Sequence, residues 1–262
     1  MLVMLRKPPK YAFALTDFIV FVTVISLIVC LALVAATQLR GRASQVRCLA
    51  NLGRLSIATI DYCNHNAGLF PGPAGTGPLL VKAKDPHSSW DWIAYHYKAP
   101  TTQRLQDSAI APYIRDGSGA PDLESVFRCP MDNLELHRTE KELGGNERYL
   151  YSYTMNMYMT SRGKMRRDGV QGKNILLARE LDNVRSRSTK ILFVEEDSRS
   201  IDDGNWSPGL KKDQPNSLSD RHHFAISSPA ADNRGNVGFC DGHAEYYDRA
   251  EANRPRHYDP NE

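Results

Sequence analysis

The hydrophobic positions of this chain are distributed very unevenly. A predominantly apolar run from Phe18 to Ala36 contains no charged residue, and Asp17 lies directly before it. At about 1.5 Å of rise per residue, a helix of this run is close to 30 Å long, which is the thickness of the hydrocarbon layer of a bilayer. The pattern therefore predicts a transmembrane anchor, and the hydrophilic remainder predicts one soluble body attached to it.

The helical pattern continues beyond the apolar run. After Gln38, apolar side chains or glycine recur at three- and four-residue steps, which is the spacing of one face of an α-helix. No proline interrupts this pattern, and the turn-forming sequence Asn64 to Gly68 ends it. We expect one helix over about residues 13–65, with a transmembrane half at 13–37 and an amphipathic half at 38–66. The amphipathic face consists of Val46, Leu49, Gly53, Ile57 and Ile60, and it is widened by Leu52, Leu55 and Tyr62.

The rest of the chain contains short β-forming runs separated by turn residues. The clearest is a hairpin in which 236–240 and 243–247 flank Asp241-Gly242, a dipeptide typical of tight β-turns. Strands and helices do not alternate regularly, which favours antiparallel pairing. The predicted fold class is α+β: the amphipathic half packs on a mostly antiparallel sheet in a globular head at 67–250, followed by a polar tail at 251–262. Further predicted strands cover 149–159, 175–178 and 191–194.

Charge and motifs exclude several classes of function. The formal net charge is only +3, and the basic clusters at 164–167 and 185–190 lack interleaved aromatic residues. A nucleic-acid surface needs a concentrated basic patch, so no nucleic-acid partner is expected. The chain has no Gly-x-Ser-x-Gly elbow and no Cys-x-x-Cys pair, which argues against a serine hydrolase, a zinc ribbon and a thioredoxin-like site.

Residues Phe13 to Asp17 read Phe-Ala-Leu-Thr-Asp and open the long apolar helix. This segment resembles the prepilin-type N-terminus of type IV pilins and type II secretion pseudopilins, which reads Phe-Thr-Leu-Ile-Glu before a similar helix. Three later segments are similar to a large bacterial branch of these proteins, namely Cys48–Leu52, Phe127–Pro130 and Tyr151–Asn156. That branch carries a His, a spacer and an Asp-Gly near its C-terminus, which are matched here by His222, His223, Asp241 and Gly242.

The resemblance implies a pilin-like fold and a non-catalytic structural subunit of a secretion or pilus filament. A prepilin peptidase would remove a leader of residues 1–12 by cutting between Ala12 and Phe13, and Phe13 would be methylated. Asp17 would then pair with the N-terminal amine of a neighbouring subunit. The implied partners are the membrane, like subunits, the peptidase and the assembly proteins. The implied location is the bacterial inner membrane, crossed once, with the head in the periplasm.

Two metal sites follow as alternatives to a purely structural role. One set of ligand types that suit zinc is His222, His223, Asp232, Asp241 and His243. The rival function is a membrane-anchored metal-dependent hydrolase that uses His222, His223, Asp241 and His243. Because Asp241-Gly242 already has an explanation as a turn, we favour a structural hairpin with hydrogen-bonded histidines. Secretion pseudopilins of the G type hold calcium in a C-terminal acidic loop. A corresponding set of hard oxygen ligands here is Asp197, Asp202 and Asp203.

Two further hypotheses concern the cysteines and the aromatic residues. A disulfide between Cys48 and Cys129 would tie the helix to the head if the head lies in an oxidising compartment, with Cys63 and Cys240 equally available as partners. A membrane-tethered binding module that never assembles is a third function. Its ligand surface would be the aromatic segment 90–97 together with the tyrosine-rich strand.

Overall fold

A computed structural model describes most of the chain. The described residues are 15–74, 92–94, 105–115, 122–133, 149–159, 163–167, 174–177, 180–201, 203–208, 216–222 and 234–262. They divide into two units, one that ends at Gly41 and one that comprises Arg42–Glu262. Each unit is described by itself.

The predicted long helix is present. Helix α1 runs without interruption over Leu15–His65. It ends where Ala67 and Gly68 adopt positive φ angles of 53° and 79°, and the Gly68 amide donates to the carbonyl oxygen of Cys63 at 2.8 Å. A left-handed residue pair of this kind satisfies the last carbonyl groups of a helix, as the turn-forming sequence predicted.

The upstream unit is apolar and exposed. An 18-residue window of α1 has a mean hydropathy of 3.1, and none of that window is buried. Among the described residues it is the one segment long and apolar enough to cross a membrane. The most exposed of its apolar side chains are Leu15, Leu39, Leu31 and Leu33. Length and composition therefore agree with a membrane anchor.

The larger unit is an α+β domain built on a mixed five-stranded sheet. Its strand order is β5-β1-β4-β6-β7, with β1 and β5 parallel and the other neighbours antiparallel. Strands β2 and β3 form a separate antiparallel pair. The strands are β1 Tyr153–Asn156, β2 Gly163–Arg167, β3 Asn174–Leu177, β4 Ile191–Glu195, β5 Asn205–Trp206, β6 Arg234–Phe239 and β7 Ala244–Asp248. The short helices are α2 Leu123–Phe127, α3 Arg249–Ala252 and α4 Pro255–Tyr258.

The downstream part of α1 packs closely on the sheet. Leu52 and Leu55 are fully buried in the main hydrophobic cluster, together with Phe193 of β4. A Cβ atom added to Gly238 of β6 would lie 2.6 Å from Oγ of Ser56 and 3.1 Å from the carbonyl oxygen of Leu52. Only a glycine lets the helix backbone approach β6 this closely, so the predicted helix-on-sheet packing is confirmed. The predicted face is wrong in part, because Val46 and Ile57 are exposed and the buried side of the helix is centred on Leu52 and Leu55.

The hairpin between β6 and β7 differs in detail from the prediction. A two-residue turn was expected at Asp241-Gly242, but β6 ends at Phe239 and β7 begins at Ala244. The Gly242 amide donates to the carbonyl oxygen of Phe239 at 3.0 Å, and Gly242 has a positive φ of 98°. This is a turn over 239–242 with Cys240 and Asp241 as its two central residues, and the left-handed Gly242 that follows makes the connection one residue wider than predicted.

The last dozen residues are folded, although their composition suggested a polar tail. Ala252 of α3 is fully buried in a second hydrophobic cluster with Ile191 and Trp206, and Tyr258 packs against that cluster. The Asn156 side chain donates to the carbonyl oxygen of Tyr258 at 3.0 Å. Backbone groups and a few apolar side chains therefore attach this segment to the sheet, and hydropathy alone does not reveal such contacts.

Candidate functional site

Four buried side chains converge at one point of the larger unit. Cys48, Cys129, Glu195 and His222 each contribute one atom to a group in which all four atoms lie within 4.8 Å of one another. The Sγ atoms of Cys48 and Cys129 are 2.8 Å apart. Nε2 of His222 lies 3.3 Å from Sγ of Cys129 and 3.1 Å from Oε2 of Glu195. We refer to these four residues as the buried cluster.

Four different parts of the fold supply the buried cluster. Cys48 comes from α1, and Cys129 follows α2 on a turn in which the Met131 amide donates to its Sγ at 3.4 Å. Glu195 ends the central strand β4, where it pairs in register with Tyr153 of β1. His222 follows β5 in sequence and is only 3% exposed. The cluster thus joins the helix, the turn after α2 and the sheet.

Around the cluster, buried charges are paired. Nη1 of Arg221 donates to Oε1 of Glu195 at 2.9 Å, and Nδ2 of Asn236 donates to Oε2 of Glu195 at 2.7 Å. Nε of Arg221 also lies 3.5 Å from Oδ1 of Asp132. Two carboxylates thus face one guanidinium and one imidazole. This pairing is what allows ionised groups to remain inside a protein.

The environment shifts the pKa of Glu195, His222 and Cys129. Burial would raise the pKa of Glu195, but the hydrogen bond from His222 and the charge of Arg221 lower it to about 2. Burial would lower the pKa of His222, but its contacts with Cys129 and Glu195 raise it to about 9. Burial raises the pKa of the Cys129 thiol far above its ordinary value. At neutral pH the cluster therefore holds a Glu195 carboxylate, a His222 imidazolium and a neutral Cys129 thiol.

This arrangement does not fit a nucleophilic triad. In a Cys-His-carboxylate triad, one ring nitrogen faces the nucleophile and the other faces the carboxylate. Here the same nitrogen, Nε2 of His222, faces both Cys129 and Glu195. The four ligand atoms are of types that zinc accepts, so these residues could hold a metal ion if the thiols lost their protons. Oxidation of the two sulfurs to a disulfide is the other chemistry that this geometry allows.

The predicted zinc set is not brought together by the described residues. His222 belongs to the buried cluster, whereas Asp241 and His243 do not. These two lie on the β6–β7 connection, where Nδ1 of His243 is 2.5 Å from Oδ1 of Asp241 and its ring stacks on Phe239. His223 and Asp232 lie outside the described residues. The favoured alternative, a hairpin with hydrogen-bonded histidines, agrees with the geometry at Asp241 and His243.

The predicted calcium set also has other contacts. The Asp197 carboxylate accepts two hydrogen bonds from the Arg199 guanidinium, at 2.8 and 2.6 Å. Oδ1 of Asp203 accepts from the Asn205 amide at 2.7 Å. Asp202 lies outside the described residues. A guanidinium on Asp197 repels a cation and occupies the oxygens that calcium would need, so the geometry gives no support to calcium there.

The remaining predicted sites can be placed in part. Asp17 lies in the first turn of α1, where the helix dipole favours an acid. Ala12 and Phe13, the predicted processing site, lie outside the described residues. Cys48 lies beside Cys129, and the alternative partners Cys63 and Cys240 are buried elsewhere.

Two of the aromatic residues proposed as a ligand surface, Trp92 and Tyr153, belong to the core. Trp92 is fully buried, and its ring nitrogen donates to the carbonyl oxygen of Gly204 at 3.0 Å. Tyr153 of the tyrosine-rich strand is also fully buried. The other residues of 90–97 lie outside the described residues, Ile93 and Ala94 excepted. Trp92 and Tyr153 are therefore packing residues.

Sequence reasoning missed Glu195 as a site residue. The strand prediction ended at Val194, and nothing in the local pattern connects Glu195 to His222 or to the two cysteines. One signal was available, because an acid at the end of a fully apolar strand needs a buried partner.

The chain was also compared with known proteins. No family model, no curated protein and no solved structure matches it.

Proposed function

We propose that this chain is a pseudopilin-like structural subunit, anchored in a membrane by α1 and without catalytic activity. The observation that carries the proposal is the helix Leu15–His65, which is continuous although its two parts have opposite surroundings. The upstream part exposes its apolar side chains, and the downstream part buries Leu52 and Leu55 in the head. One helix that serves both as anchor and as core element is what the prepilin-type resemblance implies.

Asp17 supports the proposal from the other end of the helix. A carboxylate at the edge of the hydrocarbon layer is costly, so an acid there needs a partner or a function. Cleavage between Ala12 and Phe13 would create a new amine four residues before Asp17. We propose that the Asp17 carboxylate pairs with that amine on a neighbouring subunit and sets the register of assembly.

The proposed location and partners of the protein follow from its apolar helix. The apolar helix would cross the bacterial inner membrane once and place the head in the periplasm. The proposed partners are like subunits that associate through α1, a prepilin peptidase, and the proteins of a secretion or pilus apparatus. Because the described residues pair Asp241 with His243 and bury His222 elsewhere, the geometry does not favour the hydrolase alternative.

The mature N-terminus tests this proposal. The full chain would be produced in a bacterium that has a prepilin peptidase, purified from membranes in detergent, and analysed by mass spectrometry. We expect a chain that begins at Phe13 with a methylated amine. The prepilin-type proteins that this segment resembles carry Gly directly before the cut. An Ala12→Gly variant should therefore be processed at least as completely as the unchanged chain.

A matched pair of variants separates processing from assembly. Asp17→Asn should still be cut but should lose crosslinks between subunits, because the amine of the neighbour has no carboxylate to pair with. Asp107→Asn, in a short helical turn of the head, should be cut and crosslinked like the unchanged chain. An intact Met1, or a cut after Ala36, would overturn the proposal.

A further inference from the structure

The geometry points to a structural disulfide between Cys48 and Cys129 that fastens α1 to the head inside the buried cluster. Both residues are free thiols in this structure, and their Sγ atoms are 2.8 Å apart. This distance exceeds an S–S bond of about 2.05 Å by less than 1 Å, so a small side-chain adjustment forms the bond. The inference goes beyond the proposed function and rests on it only for the oxidising compartment.

The pairing is specific. Among the described residues, a sulfur–sulfur contact of 2.8 Å joins Cys48 to Cys129. Cys63 and Cys240 lie near each other, since Cys63 adds to the effect of burial in raising the pKa of the Cys240 thiol, and they are not part of the buried cluster. Both sulfurs are at the junction of the helix with the head, where Nδ2 of Asn51 also donates to the carbonyl oxygen of Ser125 at 2.8 Å. Helix and turn are thus already held in the position that the bond requires.

A zinc ion fits the same four residues less well. Tetrahedral zinc with Zn–S bonds of about 2.3 Å holds two sulfurs about 3.8 Å apart, so the two sulfurs would have to separate. Both oxygens of Glu195 already accept hydrogen bonds, from Arg221 and from Asn236. A disulfide between Cys48 and Cys129 leaves these hydrogen bonds unchanged.

The bond forms by thiol–disulfide exchange with a disulfide-bearing oxidant. The Cys129 thiol loses its proton and attacks one sulfur of the oxidant, which releases one thiol and leaves a mixed disulfide. The Cys48 thiol then loses its proton and attacks Sγ of Cys129, which releases the second thiol of the oxidant. Two protein thiols are oxidised and one oxidant disulfide is reduced to two thiols. Since the sulfurs are inaccessible in the folded head, this exchange must precede the final packing of α1.

Burial also determines how the bond behaves afterwards. Cys48 is fully buried and Cys129 is only 2% exposed, so a soluble thiol cannot reach either sulfur while the head is folded. Such a bond is a permanent tether rather than a reversible switch. The geometry therefore predicts a disulfide that resists reductants in the native protein and breaks when the protein is unfolded.

The test uses the full chain, purified from bacterial membranes after free thiols have been trapped with an alkylating reagent at lysis. Trypsin separates the four relevant cysteines into different peptides: Cys48–Arg54, Leu55–Lys82, Cys129–Arg138 and Gly235–Arg249. We expect mass spectrometry to show the first peptide linked to the third. Cys63 and Cys240 should be alkylated only after unfolding.

Two measurements complete the design. Metal analysis of the same preparation should show no stoichiometric zinc. A millimolar thiol reductant should leave the Cys48–Cys129 link intact in the native protein and should cleave it in urea.

A Cys63→Ser variant is the matched control, because it removes a buried cysteine and should keep the link. Free Cys48 and Cys129 thiols, a link to Cys63 or Cys240, or stoichiometric zinc would each overturn the inference. The mature N-terminus is read independently, so failure here is distinguishable from failure of the proposed function.

Discussion

Two histidines that the sequence grouped into one site occupy opposite surroundings in the fold. His222 is buried against Glu195 and Cys129, whereas the side chain of His243 is 38% exposed and pairs with Asp241 on a hairpin connection. Both histidines contact a carboxylate. Burial is the difference: in the interior an ion pair is weakly screened and costly to break, and at the surface water competes with it. The comparison indicates that His222 organises the head and that His243 caps a turn.

The largest effect should come from removing the carboxylate of the buried pair. Glu195→Ala leaves the buried His222 imidazolium without the carboxylate that it contacts, and leaves Arg221 with the more distant Asp132 carboxylate, which costs about 3–5 kcal/mol. We expect the free energy of unfolding to fall by that amount in urea titrations followed by the fluorescence of Trp92 and Trp206. Glu245→Gln is the matched control because Glu245 faces His243 at 3.6 Å on the exposed hairpin. A loss of less than 1 kcal/mol for Glu195→Ala would contradict the account.

The dependence of stability on pH should sharpen the comparison. The pKa of Glu195 is about 2 in the fold, so its contribution is present above its ordinary pKa near 4.5 and is lost as the pH falls toward 2. The pKa of His222 is raised to about 9, so its contribution is present below about pH 6.5 and is lost as the pH rises to 9. Burial raises the pKa of the neighbouring Glu196 to about 8, so the fold favours the protonated form of this carboxyl group. The free energy of unfolding therefore also falls as the pH rises from about 4.5 to 8.

These three groups together predict a single maximum. We expect the free energy of unfolding to rise from pH 2 to about pH 4.5 and to decline from there to about pH 9. Glu196→Gln should weaken the alkaline decline, because a neutral amide replaces a carboxyl group that must otherwise lose its proton inside the protein. A His243→Gln variant should keep the shape of the profile. A profile that is flat between pH 5 and 9 would contradict the assignment of Glu196 and His222.

A smaller effect should appear where the helix meets the sheet. A Gly238→Ala methyl would lie 2.6 Å from Oγ of Ser56 and 3.1 Å from the carbonyl oxygen of Leu52, so we expect a loss of about 1–3 kcal/mol. Gly53 of α1 is the matched control because an added methyl meets only the Gly242 carbonyl oxygen at 3.5 Å. Gly53→Ala should stabilise the protein by about 0.5–1 kcal/mol through helix propensity. Equal effects of the two variants would contradict close helix–sheet packing.

The smallest effect should come from the hairpin itself. Asp241→Asn removes the charge from the pair with His243, and exposed pairs of this kind contribute about 0–1 kcal/mol. We expect a change in the free energy of unfolding of less than about 0.5 kcal/mol and an unchanged metal content. A loss comparable to that of Glu195→Ala would mean that the exposed pair has a structural or ligand-binding role that its surroundings do not suggest.

The sequence anticipates the parts of this fold that depend on local pattern. The continuous helix follows from its three- and four-residue spacing, its end from Asn64 to Gly68, and the hairpin from Asp241-Gly242. The buried cluster depends on contacts between residues that are far apart in the chain. Cys48 and Cys129 are separated by 81 positions, and no local pattern places Glu195 between them and His222.

Contacts between residues far apart in the chain also explain why the folded structure of 251–262 was not predicted. Their polar composition suggested a tail, yet the carbonyl oxygen of Tyr258 accepts from Asn156, and Nδ1 of His257 lies 3.0 Å from the carbonyl oxygen of Thr189. Backbone hydrogen bonds across the chain leave no signature in hydropathy. Contacts made by a few side chains such as Ala252 are equally difficult to predict.

Cysteine labelling in intact cells measures whether the chain is anchored in a membrane with its head outside the cytoplasm. Cys30 in the apolar run is the one exposed native cysteine, and Asp182 in the head has a side chain that is 88% exposed. With a membrane-impermeant maleimide, an Asp182→Cys variant should be labelled in intact cells, and Cys30 should be labelled only after detergent is added. Labelling of Cys30 in intact cells, or of Asp182→Cys only after lysis, would contradict the account.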